Sequence, residues 1–152
     1  MNSTLKAVLV LVGPAALAGL GAICFIWWER GAPPGFRPKV HDVEIGEINR
    51  NHRGVRLHGM ARYDIRSQHK GEDGEQTYYL FPLVPKDRLN TKMIRVMVRT
   101  TSPPDGMANL EEMTIEGLAR PPGRLVPRDL QLAWMKRGYE FDRKFVLVMA
   151  FD

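Results

Sequence analysis

The sequence predicts a mainly β protein in which a small β-barrel follows a single N-terminal membrane helix. Three observations predict this fold class. Residues 7–28 form an apolar run without charge, several later segments alternate apolar and polar residues, and one late segment has the pattern of a soluble helix. A length of 152 residues allows one modest domain beyond the membrane segment. A β-sandwich built from the same strands is the alternative arrangement.

The membrane segment is Ala7–Trp28, whose 22 residues carry no charge. At about 1.5 Å per residue this helix is roughly 33 Å long, enough to cross a hydrocarbon core of about 30 Å. Trp27 and Trp28 end the run where an interfacial aromatic belt is expected. The sequence therefore predicts an anchor over residues 1–30 that is held in the lipid bilayer. A signal peptide cleaved after residues 16–18 is the alternative.

The anchor also predicts membrane partners and an orientation. Ala15, Gly19 and Ala22 form a stripe of small residues, which lets helices of other membrane-complex subunits pack closely. We expect a single-pass protein of the plasma or inner membrane. A tail of only six residues before the apolar run is typical of a signal anchor that carries its C-terminal domain to the extracytoplasmic or periplasmic side. Basic residues shortly after the anchor favour the opposite orientation.

A Pro/Gly spacer, residues 31–38, separates the anchor from the predicted β domain, residues 39–152. The predicted strands are 40–48, 55–67, 77–84, 93–101, 113–119 and 145–151.

Two of these segments alternate with a period of two. In 55–67 the apolar residues, beginning with Val55 and Leu57, are expected to face inward. In 93–101 the inward residues are expected to be Ile94, Val96 and Val98, and the outward ones Met93, Arg95, Met97 and Arg99. The segment 77–84 is apolar on both faces and predicts a central strand. The polar stretch 68–76 predicts a hairpin connection.

The one soluble helix is predicted over 128–137. Pro127 precedes it and Gly138 follows it, both of which are typical of helix boundaries. Leu130 and Trp134 are four residues apart and share a face. We expect this helix to close an end of the barrel, and a partner groove at its apolar residues is the alternative.

Several segments together resemble a known family. They are RGVRLHGM at 53–60, IRVMV at 94–98, SPPD at 102–105 and EMTIEG at 112–117. This pattern is similar to the membrane-anchored haem chaperones of cytochrome c maturation, which join a short anchor to an OB-type barrel. The resemblance implies an OB-like barrel and, as an alternative function, a membrane-tethered carrier for a small ligand such as haem. The family's C-terminal histidine has no counterpart after His69, so only the architecture is carried over and no cofactor is expected.

The residues that usually carry catalysis are sparse. The only cysteine, Cys24, lies in the apolar run, which excludes a thiol nucleophile from the β domain. The four histidines are spaced by 11, 6 and 11 residues, and these spacings match no standard metal pattern. The chain contains no GxSxG motif and no phosphate-binding glycine loop. We therefore predict no enzyme activity, no catalytic residues and no metal site.

The strongest surface signal is basic, in a chain whose net charge is +5. Arg56, Arg62 and Arg66 are expected on one strand face, with Arg95 and Arg99 extending the stripe. We expect these arginines to dock an acidic protein surface or anionic headgroups. The structural alternative is an ordinary charged barrel exterior that discourages edge pairing. Nucleic acid is not an expected partner, because this face lacks aromatic residues. The sequence thus favours a non-enzymatic accessory or assembly subunit of a membrane complex.

Overall fold

The computed structural model describes residues 38–51, 53–71, 74–102 and 108–151. The predicted anchor, with its interface residues Trp27 and Trp28 and its small-residue stripe Ala15, Gly19 and Ala22, lies outside the described residues. Within those four ranges, no helix is both long enough and apolar enough to cross a membrane.

The described chain is mainly β, as predicted. Its strands and its α-helix are β1 (His41–Asp42), β2 (Gly54–Arg62), β3 (Ser67–Lys70), β4 (Thr77–Val84), β5 (Met93–Thr100), β6 (Leu110–Arg120), α1 (Arg128–Lys136) and β7 (Glu140–Ala150).

The strands form one sheet that closes on itself. Its order is β1-β2-β6-β7-β5-β4-β3, and an additional antiparallel pairing of β2 with β4 joins the two halves. The closed barrel therefore consists of β2, β4, β5, β7 and β6. Its pairings are antiparallel except for β5 with β7, which run parallel. The predicted β-barrel is confirmed.

Apolar side chains fill the barrel interior. Alternate residues of every barrel strand point inward, and most of them are fully buried: Val55, Leu57, Phe81, Leu83, Val96, Val98, Val146 and Val148. Ile45 and Ile48, from the segment before β2, pack into the same cluster. The inward face predicted for Val55 and Leu57 is confirmed.

A second apolar core lies outside the barrel, under α1. Leu80, Met97 and Leu147 alternate with the inward residues of β4, β5 and β7, and they pack with Leu130 and Trp134 of the helix. Met97 points away from the barrel interior, as its place in the alternation predicts, but its exposed fraction is 0% because the outer core covers it. The helix covers an outer face of the barrel, so the prediction that it closes an end of the barrel is wrong. Period-two alternation assigns residues to the two faces of a strand, but it does not show whether a helix will cover the outer face.

An irregularity in β5 also changes the predicted faces. The pairing of β5 with β7 shifts register between Ile94 and Val96, as at a β-bulge. Ile94 belongs to the outer core, whereas Val96 belongs to the inner one. The prediction that Ile94 faces the interior with Val96 is therefore wrong.

Two predicted strands are shorter than expected. The segment 40–48 pairs only at His41–Asp42, because the chain then turns and the backbone amide of Ile48 donates to the carbonyl of Glu44 at 3.0 Å. The segment 55–67 ends as a strand at Arg62. A single turn of 3-10 helix, Tyr63–Ile65, redirects the chain there.

The polar stretch 68–76 is only partly a connection. Residues 67–70 form β3, which pairs antiparallel with the beginning of β4. The turn of this hairpin begins at Gly71, whose amide donates to the carbonyl of Gln76 at 2.7 Å.

Candidate interaction surfaces

The five arginines predicted to dock a partner lie in three parts of the barrel. Arg56 and Arg62 project from the outer face of β2, where they alternate with buried residues. Arg66 follows the 3-10 turn that ends β2, so it is not on the same strand. Arg95 and Arg99 lie on β5. The structure therefore does not place Arg56, Arg62 and Arg66 along one continuous strand.

Arg56 joins the strands on either side of β2. Its Nε donates to Oε1 of Glu116 on β6 at 2.8 Å, and its Nη1 lies 3.5 Å from Oδ1 of Asp42 on β1. The hydrogen bond to Glu116 raises the pKa of the Arg56 guanidinium above its ordinary value. Two carboxylates of the same domain therefore partly neutralise this charge.

Three of these arginines form ion pairs: Arg56, Arg62 and Arg95. Arg62 is the least exposed of the three, with a side-chain exposure of 14%. Its Nε and Nη2 donate to the two carboxylate oxygens of Asp64 at 2.9 and 2.5 Å. Nη1 donates to the Leu89 carbonyl and Nη2 also contacts the Tyr139 hydroxyl, each at 3.1 Å. The hydrogen bonds from Arg62 hold the pKa of Asp64 below its ordinary value. This guanidinium links β2, the β4–β5 loop and the start of β7.

Arg95 connects β5 to the segment before β2. Its Nη1 donates to Oδ2 of Asp142 at 3.2 Å, and its Nη2 donates to the carbonyl of Ile48 at 3.3 Å. Its Nε is buried and has no hydrogen-bond partner among the described residues. Arg95 therefore serves contacts inside the domain.

Arg99 lies in a stack of side chains that crosses three strands. Its guanidinium carbon is 3.9 Å from the centre of the Tyr78 ring, a distance typical of a cation–π contact. The ring of Tyr78 also stacks with that of His69 at 5.5 Å. Direct pairing of His69 with Tyr78 across β3 and β4 places these rings together.

Arg66 differs from the other four. It is exposed, and among the described residues its side chain has no ion pair or hydrogen bond. Of the five predicted docking residues, Arg66 therefore has the charge most available to a partner, and docking by the set stays a prediction.

The outer face of α1 is a second surface. Leu132 and Met135 are 47% and 56% exposed although both are large and apolar. They are three residues apart and therefore share a face, opposite to the buried Leu130 and Trp134. The predicted core face of this helix is confirmed. The exposed pair also has a spacing that places its residues on one helix face, so it could be recognised in the sequence, but only the packing shows which pair is covered.

A cleft of about 400 Å³ lies between residues 43–46 and the β4–β5 loop. His58 lines it, and Nδ1 of this histidine is 2.7 Å from the hydroxyl oxygen of Thr114. The nearest Asp42 oxygen is 4.0 Å from Nε2 of His58, too far for the hydrogen bond that would orient the ring as a base. The Thr114–His58 pair is therefore a cross-strand surface contact.

No group of three or more His, Cys, Asp or Glu side chains suited to a metal ion occurs in the described part of the chain. Comparisons of this chain with protein-family models, with curated protein sequences and with solved structures found no match.

Proposed function

We propose that this chain is a non-enzymatic accessory or assembly subunit of a membrane complex. In this proposal Ala7–Trp28 anchors the protein in the plasma or inner membrane. The barrel lies on the extracytoplasmic side and docks a partner domain through its outer surface. One observation supports this proposal most strongly. Side chains fill the barrel interior and α1 covers one outer face, so the remaining exterior is the surface available for interactions.

The strand order supports an OB-type barrel. Counted along the chain, the five barrel strands pair in the order 1-2-3-5-4-1, with the third and fifth parallel. OB folds are five-stranded Greek-key barrels that bind oligonucleotides on the face of their second and third strands. Here those strands are β4 and β5, and Leu80 and Met97 on that face are buried under α1. This cover favours a protein-docking role over nucleic-acid binding.

The packed interior weighs against the alternative function, a carrier for a small ligand such as haem. A barrel that holds a ligand inside needs an open cavity, whereas here Leu57, Phe81 and Val148 are among the side chains that fill the centre. The described cleft near His58 is open to solvent, and the charged residues Glu44, Lys86, Asp87 and Arg88 are among those that line it, unlike the enclosed pocket typical of a cofactor site.

The two histidine–hydroxyl pairs do not favour an enzyme. Ser67 lies 2.7 Å from Nε2 of His69, and Thr114 lies at the same distance from Nδ1 of His58. A nucleophile needs a base that a third group orients. The ring of His69 instead stacks on Tyr78, and Asp42 is 4.0 Å from His58.

The test is purification of the full chain from its own membrane in a mild detergent. We expect integral membrane proteins to co-purify in a fixed ratio, and the absorption spectrum to show no cofactor band. Stoichiometric uptake of added haem, with its absorption band, would favour the carrier function instead. A chain that leaves the membrane in alkaline carbonate would contradict the anchor.

A matched pair of variants tests the predicted contact between the anchor and its partner helices. Gly19→Leu adds bulk to the small-residue stripe, and Ala16→Leu adds similar bulk to another side of the same helix. We expect Gly19→Leu to release the co-purifying subunits and Ala16→Leu to retain them. Equal retention by both variants would exclude the stripe as the contact.

A further inference from the structure

The outer face of α1 combines exposed apolar and basic side chains. Leu132 lies at the centre of this face, because Arg128 precedes it by four residues and Lys136 follows it by four. Met135 is adjacent to Leu132 on the same side. Leu130 and Trp134 hold the opposite side of the helix against the barrel, so the outer face is fixed outward.

The charge around this face is positive. Between Arg124 and Arg137 the chain has four basic residues and one acid, Asp129, which gives a net charge of +3. Arg124, Arg128 and Lys136 are exposed, and none of them forms an ion pair within the described ranges. Arg56, Arg62 and Arg95, by contrast, each face a carboxylate.

We propose that this face of α1 docks on the surface of an anionic lipid bilayer. Amphipathic helices bind membrane interfaces by burying apolar side chains among the headgroups while Lys and Arg contact anionic lipids. Leu132 and Met135 supply the apolar contact, and Arg128 and Lys136 flank them. The inference rests on the proposed membrane anchorage, since a helix of nine residues with two exposed apolar side chains needs a tether to stay at the surface.

The chain length makes this docking possible. Nine residues, 29–37, separate the predicted anchor from the first described residue. Fully extended, they span at most about 30 Å. A barrel held this close to the bilayer experiences a high effective concentration of headgroups, so that a weak surface contact is sufficient.

A nitroxide spin label on the full chain reports this docking. The label is attached at Ala133→Cys, an exposed helix position beside the proposed contact, in a Cys24→Ser background. A second chain carries the label at Gln68→Cys, an exposed position on β3. Each chain is reconstituted in phosphatidylcholine vesicles with or without phosphatidylglycerol. The collision rates with a water-soluble nickel complex and with oxygen are then measured.

With anionic vesicles we expect the label at residue 133 to lose nickel collisions and gain oxygen collisions, while the label at residue 68 does not change. The double reversal Arg128→Glu with Lys136→Glu should lower the ratio of docked to free domain by about 30-fold, as expected for two headgroup-facing cations. High salt should act in the same direction.

The matched control is Arg53→Glu with Lys70→Glu, which reverses one exposed arginine before β2 and one exposed lysine at the end of β3. This control should dock as the unmodified chain does. Equal collision rates at residue 133 in both kinds of vesicle would overturn the proposal, as would a loss of docking in the control alone. An acidic protein that protects residue 133 in the absence of lipid would assign the face to that protein.

Flotation separates this proposal from the proposed function. If the chain floats with neutral vesicles but residue 133 stays accessible to nickel on anionic vesicles, the docking is wrong and the anchor stands. If the chain does not float with neutral vesicles, the anchor is wrong.

Discussion

At the scale of single residues, arginines that are alike in the sequence have different surroundings. Arg62 is largely enclosed and joins three parts of the barrel through Asp64, Leu89 and Tyr139. Arg66, four residues later, is exposed. An enclosed guanidinium that hydrogen-bonds several partly buried groups contributes to stability, whereas an isolated surface charge contributes little.

We expect Arg62→Ala to lower the free energy of unfolding by about 2 kcal/mol, because it removes several charge-assisted hydrogen bonds and leaves Asp64 without its main partner. Urea unfolding followed by circular dichroism measures the change. Arg66→Ala is the control and should unfold like the unmodified chain. Equal effects of the two substitutions would contradict the structural role of Arg62.

The lowered pKa of Asp64 predicts a pH dependence with a definite sign. In the folded state its pKa lies below the ordinary value of 3.8, so the ionised carboxylate stabilises the fold at any pH above that value. This contribution is lost as the pH falls through the folded-state pKa. The stability difference between the unmodified chain and Asp64→Asn should therefore be largest at neutral pH and shrink in acid. Urea unfolding over this pH range measures it, and a difference that grows in acid would contradict the Arg62–Asp64 pairing.

At the scale of elements, α1 determines which part of the outer surface of the barrel is buried. Trp134 is 3% exposed and packs on Phe141, with ring centres 6.2 Å apart, whereas Leu132 on the other side of the helix is 47% exposed. One helix thus has a structural face and a free face.

We expect Trp134→Ala to destabilise the domain by about 3–5 kcal/mol, because it opens a cavity in the outer core. Leu132→Ala should change stability by no more than about 0.5 kcal/mol. Thermal unfolding of the full chain in detergent compares the two. A similar loss of stability in both variants would mean that Leu132 is also covered.

Gly59 is required where β2 meets β4. A Cβ atom at this position would lie 2.6 Å from Cδ1 of Ile45 and 2.8 Å from the carbonyl oxygen of Val84. We expect Gly59→Ala to cost about 1–3 kcal/mol, as overpacking of a core does. Gly46→Ala is the control, because a Cβ there meets nothing within 4 Å. Unfolding in urea should separate the two variants, and equal stability would contradict this close approach.

At the scale of the whole domain, closure of the barrel limits how a partner can bind. The strands at the two ends of the sheet order are β1 and β3, which have only two and four residues. Short edge strands offer little backbone for an added strand. A partner is therefore expected to bind through side chains, as the predicted arginine docking requires.

Arg66→Glu tests that docking without breaking an ion pair of the described domain. We expect the variant to unfold normally and to associate more weakly with an acidic partner, with a difference that fades as salt rises. Arg53→Glu, also exposed, is the control. Co-purification at low and high salt measures the association. Unchanged association of Arg66→Glu at low salt would remove Arg66 from the interface.

The triple reversal of Arg56, Arg62 and Arg66 is a poorer test, because a carboxylate introduced at position 62 would face the carboxylate of Asp64.

Much of the fold was predictable from local patterns. Period-two alternation predicted the inward residues of β2, and the boundary residues Pro127 and Gly138 predicted α1 to within one residue. The candidate docking residues were recognisable as charges, but the ion pairs of Arg56 with Glu116 and of Arg95 with Asp142 were not. Glu116 and Asp142 lie 60 and 47 residues from Arg56 and Arg95, and a local pattern holds no information at that separation.

The sequence by itself determined the positions of the five barrel strands and of α1, because alternation, helix periodicity and turn residues act over a few neighbouring positions. The tertiary structure alone decided which outer face is covered. Met97 and Arg99 have the same place in the alternation of β5, yet Met97 is buried in the outer core to which α1 contributes, and Arg99 lies over Tyr78. Packing of α1 on the barrel separates them, because burial depends on contacts between distant segments and each segment's own pattern permits either outcome.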